Sequence, residues 1–295
     1  MSSKKKEMLY GYLFILPALI SLGIFMIYPT IKTFYYSLTD FYMLKPQSIN
    51  FVGLSNFKFL FSDYTITNAI KNTFYFVIIS VPVQTLLALL YAIFLNQMFI
   101  GRSIARTIIF SVSVIPGVAV ANVWKMLVSS DGYINYFLKL LGFPPQPFLN
   151  STSQAMNTII AMVVWQAAAG QMMIFLAGLQ DIPKSLYEAA EMDGANFLQK
   201  LIYVTIPGLR NIFNFILITS TIGALGIFTG PFIMTAGGPR GATETIFLKF
   251  YQIFVLQKDV GLGAALILVY FIIALILAII QRKFVGEERQ VVVEG

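Results

Sequence analysis

The sequence predicts an all-α integral membrane protein: one domain over residues 1–295, with six transmembrane helices and a cytoplasmic helical hairpin between the fourth and the fifth. Three observations carry that prediction. Of the 295 residues, 58% are hydrophobic and 11% charged, where a soluble domain has about 25% charged residues. Six charge-free windows, Met8–Ile31, Asn72–Gly101, Thr107–Trp124, Leu140–Gln180, Asn211–Pro239 and Val260–Gln281, each approach or exceed the roughly 20 residues that a helix needs to cross a bilayer. Between the fourth window and the fifth lies Asp181–Arg210, whose charges, embedded Gly194 and late Pro207 separate it from the apolar runs on either side.

The first window follows Lys4, Lys5 and Lys6. It is too long for the apolar core of a signal peptide and ends at Tyr28-Pro29 without a small-residue cleavage pattern, so it reads as an uncleaved helix over about 9–31. Spans over about 72–96 and 107–128 come next. The fourth window is longer than a span requires, and Gly142–Pro147 belongs to a loop, which leaves a helix over about 155–179. The fifth span, about 211–235, is expected to bend at Gly230-Pro231 and at Gly237-Gly238-Pro239. The sixth covers about 261–281. Within the hairpin, 181–208, Asp181 is expected to cap a helix with Pro183 in its first turn, and Gly194 to end it. Asn196 then caps a second helix, Phe197–Thr205, with Phe197, Leu201 and Val204 on one face, before Pro207 disrupts the turn into the fifth span.

An even number of spans puts both termini on one side. Lys4 to Lys6, Arg102, Arg106, Lys184, Lys200, Arg210, Arg282, Lys283 and Arg289 fall together on that side and make it cytoplasmic in the membrane of the cell. The net charge of +7 is explained by basic helix ends beside anionic lipid, with no nucleic-acid partner. The chain has no Cys and no His, which removes disulfides, imidazole or thiolate metal sites and histidine-based catalysis; neither catalytic nor metal-binding residues are expected. No Asp or Glu lies inside a predicted span, which argues against proton coupling. No phosphate-cradling G-x-x-x-x-G-K-[ST] occurs, so any ATP and Mg²⁺ must sit on another chain. Asp181, Glu188, Glu191 and Asp193 outnumber Lys184 and Lys200 in the hairpin, which suits a protein partner better than an anionic lipid surface.

Glu188-Ala189-Ala190, Asp193-Gly194-Ala195 and Ile206-Pro207 resemble the EAA loop of the membrane subunits of binding-protein-dependent ABC importers. Four longer stretches resemble the sugar permeases of that family, the maltose, glycerol-3-phosphate and multiple-sugar group: Leu13–Phe41, FVGLSNFKFLF (Phe51–Phe61), GRSIARTIIF (Gly101–Phe110) and GGPRGATET (Gly237–Thr245). Gly208 and Asn211 stand where that family commonly has bulkier residues and a second Pro. The resemblance implies that Glu188, Ala189, Ala190, Asp193, Gly194, Ala195 and Pro207 form coupling helices that dock on a cytoplasmic ATPase dimer. It also implies a second, related permease, an extracytoplasmic solute-binding protein and sugar uptake by alternating access. The competing reading is a self-contained carrier or channel whose hairpin lies on the membrane surface.

A sugar pathway needs hydrogen-bonding groups on inward faces. Thr219, Gly223, Gly226 and Gly230 share one small-residue face of the fifth span and read as a helix-packing seam. Asn211, Asn214, Thr221 and Thr229 fall off that face and, with Asn122, Gln166 and Gln171, are the candidates for lining the pathway.

Overall fold

A computed structural model describes residues 3–97 and 100–285, and the side chains of residues 10–97, 100–281 and 283. Arg289 lies outside the described residues, as do the side chains of Lys4, Lys5, Lys6 and Arg282. The described chain is all-helical but for two isolated β-bridges, Thr39 with Phe51 and Tyr42 with Asp259. In order come α1 (Tyr10–Ser37), α2 (Ser55–Ser62), α3 (Tyr64–Asn96), α4 (Arg102–Val114), α5 (Gly117–Leu127), α6 (Tyr133–Leu140), α7 (Ala155–Asp181), α8 (Lys184–Met192), α9 (Phe197–Gly208), α10 (Arg210–Leu225), α11 (Ile246–Leu256) and α12 (Val260–Val285). Four of these, α1, α3, α7 and α12, are long and apolar enough to cross a membrane, and the bent pairs α4/α5 and α9/α10 raise the number to six if each pair is one span.

Proline chemistry explains most departures from the expected boundaries. The third span is not continuous over 107–128. Pro116 pushes Ile115 into extended backbone, so α4 stops at Val114, and α5 leaves at 99°. Pro29, by contrast, does not end the first helix. The turn Gly23–Ile27 widens to π geometry, and Pro29 then occupies the first turn of Tyr28–Ser37, where its missing N–H costs little. Two further differences come from charges that closed the apolar windows early. α3 starts at Tyr64, carrying Lys71 on its exposed side, and α11 contains Lys249. The fifth span ends as regular helix at Leu225, earlier than 235, and Pro231–Thr235 forms a π turn beyond a break at Gly226–Phe228. Asp181 is the last residue of α7 and caps nothing; Pro183 precedes α8 as its N-cap.

The chain divides into two compact units, residues 1–64 with 250–272, and residues 65–249 with 273–295. In the first unit, the Asn56 side-chain amide donates to the carbonyls of Ser37 (2.9 Å) and Thr39 (2.8 Å), satisfying the open end of α1. Gly53 supplies the positive φ of +57° that the turn before α2 requires. The Asn50 side chain and its backbone N–H donate to Asp40 and hold that carboxyl below its usual range. The Lys32 ammonium lies 5.7 to 5.8 Å from the ring centres of Tyr28, Tyr35 and Tyr36. No residue in the most apolar window of α1 is buried.

The second unit holds a hydrophobic core cluster: Ala88, Ala92 and Leu95 of α3, Ala168, Met172, Phe175 and Leu179 of α7, and Leu209 and Ile216 at the start of α10. Small residues let the helices approach closely. An added Cβ at Gly178 would collide with the Ile212 side chain and stand 3.0 Å from Leu209 Cδ2. Trp124 of α5 and Trp165 of α7 meet with ring centres 5.9 Å apart.

Candidate functional site

The turn between α8 and α9 is closed by its own backbone. The Gly194 N–H donates to Glu191 O (3.0 Å) and the Ala195 N–H to Ala190 O (2.9 Å), the paired bonds of a Schellman motif, with Gly194 at φ +75°. Only glycine takes that backbone without strain. Asn196 then opens α9 through a reciprocal capping box: its Oδ1 accepts from the Gln199 N–H (2.9 Å), and Gln199 Oε1 accepts from the Asn196 N–H (2.8 Å). The Glu-Ala-Ala…Gly spacing is therefore a local folding code. Glu188, Ala189, Asp193, Gly194 and Pro207 are exposed, Ala190 and Ala195 are half-buried, and Met192 at the tip is 89% exposed.

The base of the hairpin is fixed by contrast. Ile182 and Leu209, which flank it, are both buried in the core of the second unit, and Gly208 lies against the Ile182 side chain. Tyr187 bonds Thr205 across the two helices (3.0 Å), the Lys200 ammonium donates to Glu191 (2.8 Å), and Tyr187 and Val204 pack on the same core. α9 runs on through Pro207 to Gly208, carrying a π turn at Leu201–Thr205, and α10 departs at 67°. Pro207 thus lies inside α9, and the bend comes at Leu209. Gly178, Tyr187, Thr205 and Leu209 were not selected from sequence. A second glycine late in an apolar helix, eight residues after Gly170, was the available signal for Gly178.

The pathway candidates separate into distinct roles. Gln166 Nε2 donates to Ile115 O (2.8 Å), the carbonyl freed by the Pro116 break, so this side chain caps α4. Gln171 Nε2 donates to Ser220 (2.8 Å), and Gln281 Nε2 donates to Thr221 (2.6 Å), tying α10 to α7 and α12. Both glutamine Oε1 atoms are buried without a hydrogen-bond partner among the described residues. Asn122 donates to Val118 O on its own helix and is exposed. Asn211 is exposed, Asn214 is half-buried, and Thr229 lies near Gly117. The expected packing seam is also divided. Gly230 is buried against Ile159 and Met162, but Thr219 and Gly223 are exposed, and an added Cβ at Gly223 would meet open space. Thr221, expected off the seam, is buried. Thr221→Val should therefore strand the Gln281 amide and cost about 1 kcal/mol, read as a lowered Tm in detergent.

At the other end of α7, the Gly237–Thr245 stretch folds as a bonded loop. Asn68 and Asn72 both donate to Gly241 O (2.9 Å each), Thr243 bonds Thr235 (2.6 Å) and Gly238 O, and Thr245 bonds Ile227 O. Gly237 and Gly241 supply positive φ angles of +90° and +77°.

Residues 65–287 match the model of a family described as the binding-protein-dependent transport system inner membrane component. The chain belongs to that family. This permease is 34% identical over 288 residues to the trehalose/maltose transport system permease protein MalF of Thermococcus litoralis, covering 97% of each chain. It is 31% identical to the arabinooligosaccharides transport system permease protein AraP of Bacillus subtilis, over 93% of this chain and 88% of the relative. The lactose transport system permease protein LacF of Rhizobium radiobacter is 34% identical over 82% of each. In fold, the permease superposes with a TM-score of 0.82 on a chain of the crystal structure of a bacterial alginate ABC transporter in complex with an alginate pentasaccharide-bound periplasmic protein. That chain is 22% identical, with 95% and 94% coverage. The protein is thus a multi-pass, non-catalytic membrane component of an ABC transport system.

Proposed function

We propose that this permease imports a sugar or oligosaccharide by ATP-driven alternating access, receiving it from an extracytoplasmic binding protein. Both termini and the α8/α9 hairpin face the cytoplasm. The hairpin docks on an ATPase dimer that holds ATP and Mg²⁺, and a related permease completes the membrane dimer. The observation that carries the reading is the pairing of an exposed acidic tip with a buried base. A partner that moves Glu188, Ala189 and Met192 must also move Ile182 and Leu209, and through them α7 and α10, because close-packed interiors transmit displacement. The names of MalF, AraP and LacF support sugar as the cargo.

The test is a mild-detergent purification of the tagged chain from its host, with copurifying proteins identified and ATP hydrolysis assayed. Recovery of a P-loop ATPase and a second permease is expected, with hydrolysis raised by a sugar-loaded binding protein. A solitary chain that transports sugar in liposomes without ATP would instead establish the self-contained carrier.

A further inference from the structure

Away from the hairpin, at the end of α7 that begins with Ala155, two cavities of about 700 Å³ and about 440 Å³ share a wall at Lys125. The larger is lined by Lys125, Ser129, Asp131, Tyr133 and Tyr136 among others, and the smaller includes Asn150 and Thr235. From these the geometry points to a binding site for a neutral carbohydrate on this chain, a vestibule through which cargo passes before the membrane pathway. The inference rests on the sugar-import reading above and names a site within it.

The wall is built in advance. Lys125 Nζ donates to Ile233 O (3.1 Å), which fixes the ammonium at the boundary of the two cavities. Asn135 is buried, with its amide donating to Ser129 O and Gln146 O (3.0 Å each) and its carbonyl accepting from the Gln146 N–H (2.8 Å). Those three bonds staple α6 to the loops on either side of it. An added Cβ at Gly132 would strike the carbonyl oxygens of Met126 and Leu127, so the backbone there is in its closest approach. On α6, Tyr133 and Tyr136 stand three residues apart on one helix face and are 71% and 58% exposed. Two rigid aromatic rings offer flat apolar faces to the C–H side of a pyranose, while an ammonium, a carboxylate and hydroxyls offer partners for its OH groups. One amine and one carboxylate leave the lining without net charge, which favours a neutral polyhydroxyl ligand over a uronate.

The test is saturation-transfer NMR on the full-length chain, with its copurified partners, in nanodiscs, using maltotriose, lactose and trehalose as neutral probes and trigalacturonate as the acidic one. At least one neutral probe should receive saturation, and Y133A with Y136A should lower that transfer at least fivefold, whereas Tyr12→Ala at an exposed tyrosine of α1 should not. The ring-preserving pair Y133F and Y136F should retain binding. If the alanine variants lose monodispersity, Lys125→Met decides by the same readout. Saturation of none of the neutral probes, of trigalacturonate alone, or of variants and parent equally, overturns the vestibule. The two readings fail separately. Sugar-stimulated hydrolysis with unchanged binding in the tyrosine variants removes the vestibule and keeps the importer, and tyrosine-dependent binding without a copurifying ATPase does the reverse.

Discussion

Glu188→Lys will leave the permease inserted and monodisperse while reducing copurified ATPase at least about tenfold, equivalent to about 1.4 kcal/mol of association free energy. Glu188 is exposed on α8, and the intrahelical, Schellman and capping-box bonds that shape the hairpin use backbone groups, Asn196 and Gln199. Reversing its charge removes none of them. Loss must therefore appear in association, where breaking a charge pair that becomes buried at an interface commonly costs about 2–5 kcal/mol. Quantitative immunoblotting of the purified complex checks it. Equal ATPase recovery would show that α8 is not the docking face.

Gly178→Leu should have the largest effect on stability, about 1–3 kcal/mol from overpacking. The glycine sits where α7 meets Leu209 and Ile212, and Leu209 is fully buried. A leucine there separates α7 from α10 at the level of the hairpin's base. The thermal midpoint of the purified chain should fall, and in the reconstituted complex hydrolysis should lose its dependence on loaded binding protein. An unshifted midpoint would mean that Ile212 rotates away at no cost.

What the sequence disclosed follows from what its signals measure. Charge-free length marks where lipid can be crossed, so the apolar windows coincide with the cores of α1, α3, α7, α10 and α12. It is blind to a proline within a window, hence Pro116 and the 99° break were missed, and it stops at any charge, which hid the start of α3 and all of α11. Asn196 and Gly194 were legible because capping and positive φ depend on a few consecutive residues. The faces of α10 were not. Thr221 and Gly223 differ in burial because of what α7 and α12 bring against them, and spacing along one helix carries no information about its neighbours. Gln166 is the same case: its partner exists only because the chain breaks 51 residues earlier.

The chain contains two tryptophans, and they touch. Its entire indole emission thus originates at one contact, between the second helix of the α4/α5 bent pair and the helix that leads to the hairpin. Most proteins need a label before such a junction becomes visible. Here, any rearrangement that changes the separation of α5 and α7 will change the exciton coupling and quenching of the pair, so the unmodified chain carries its own optical gauge of that joint.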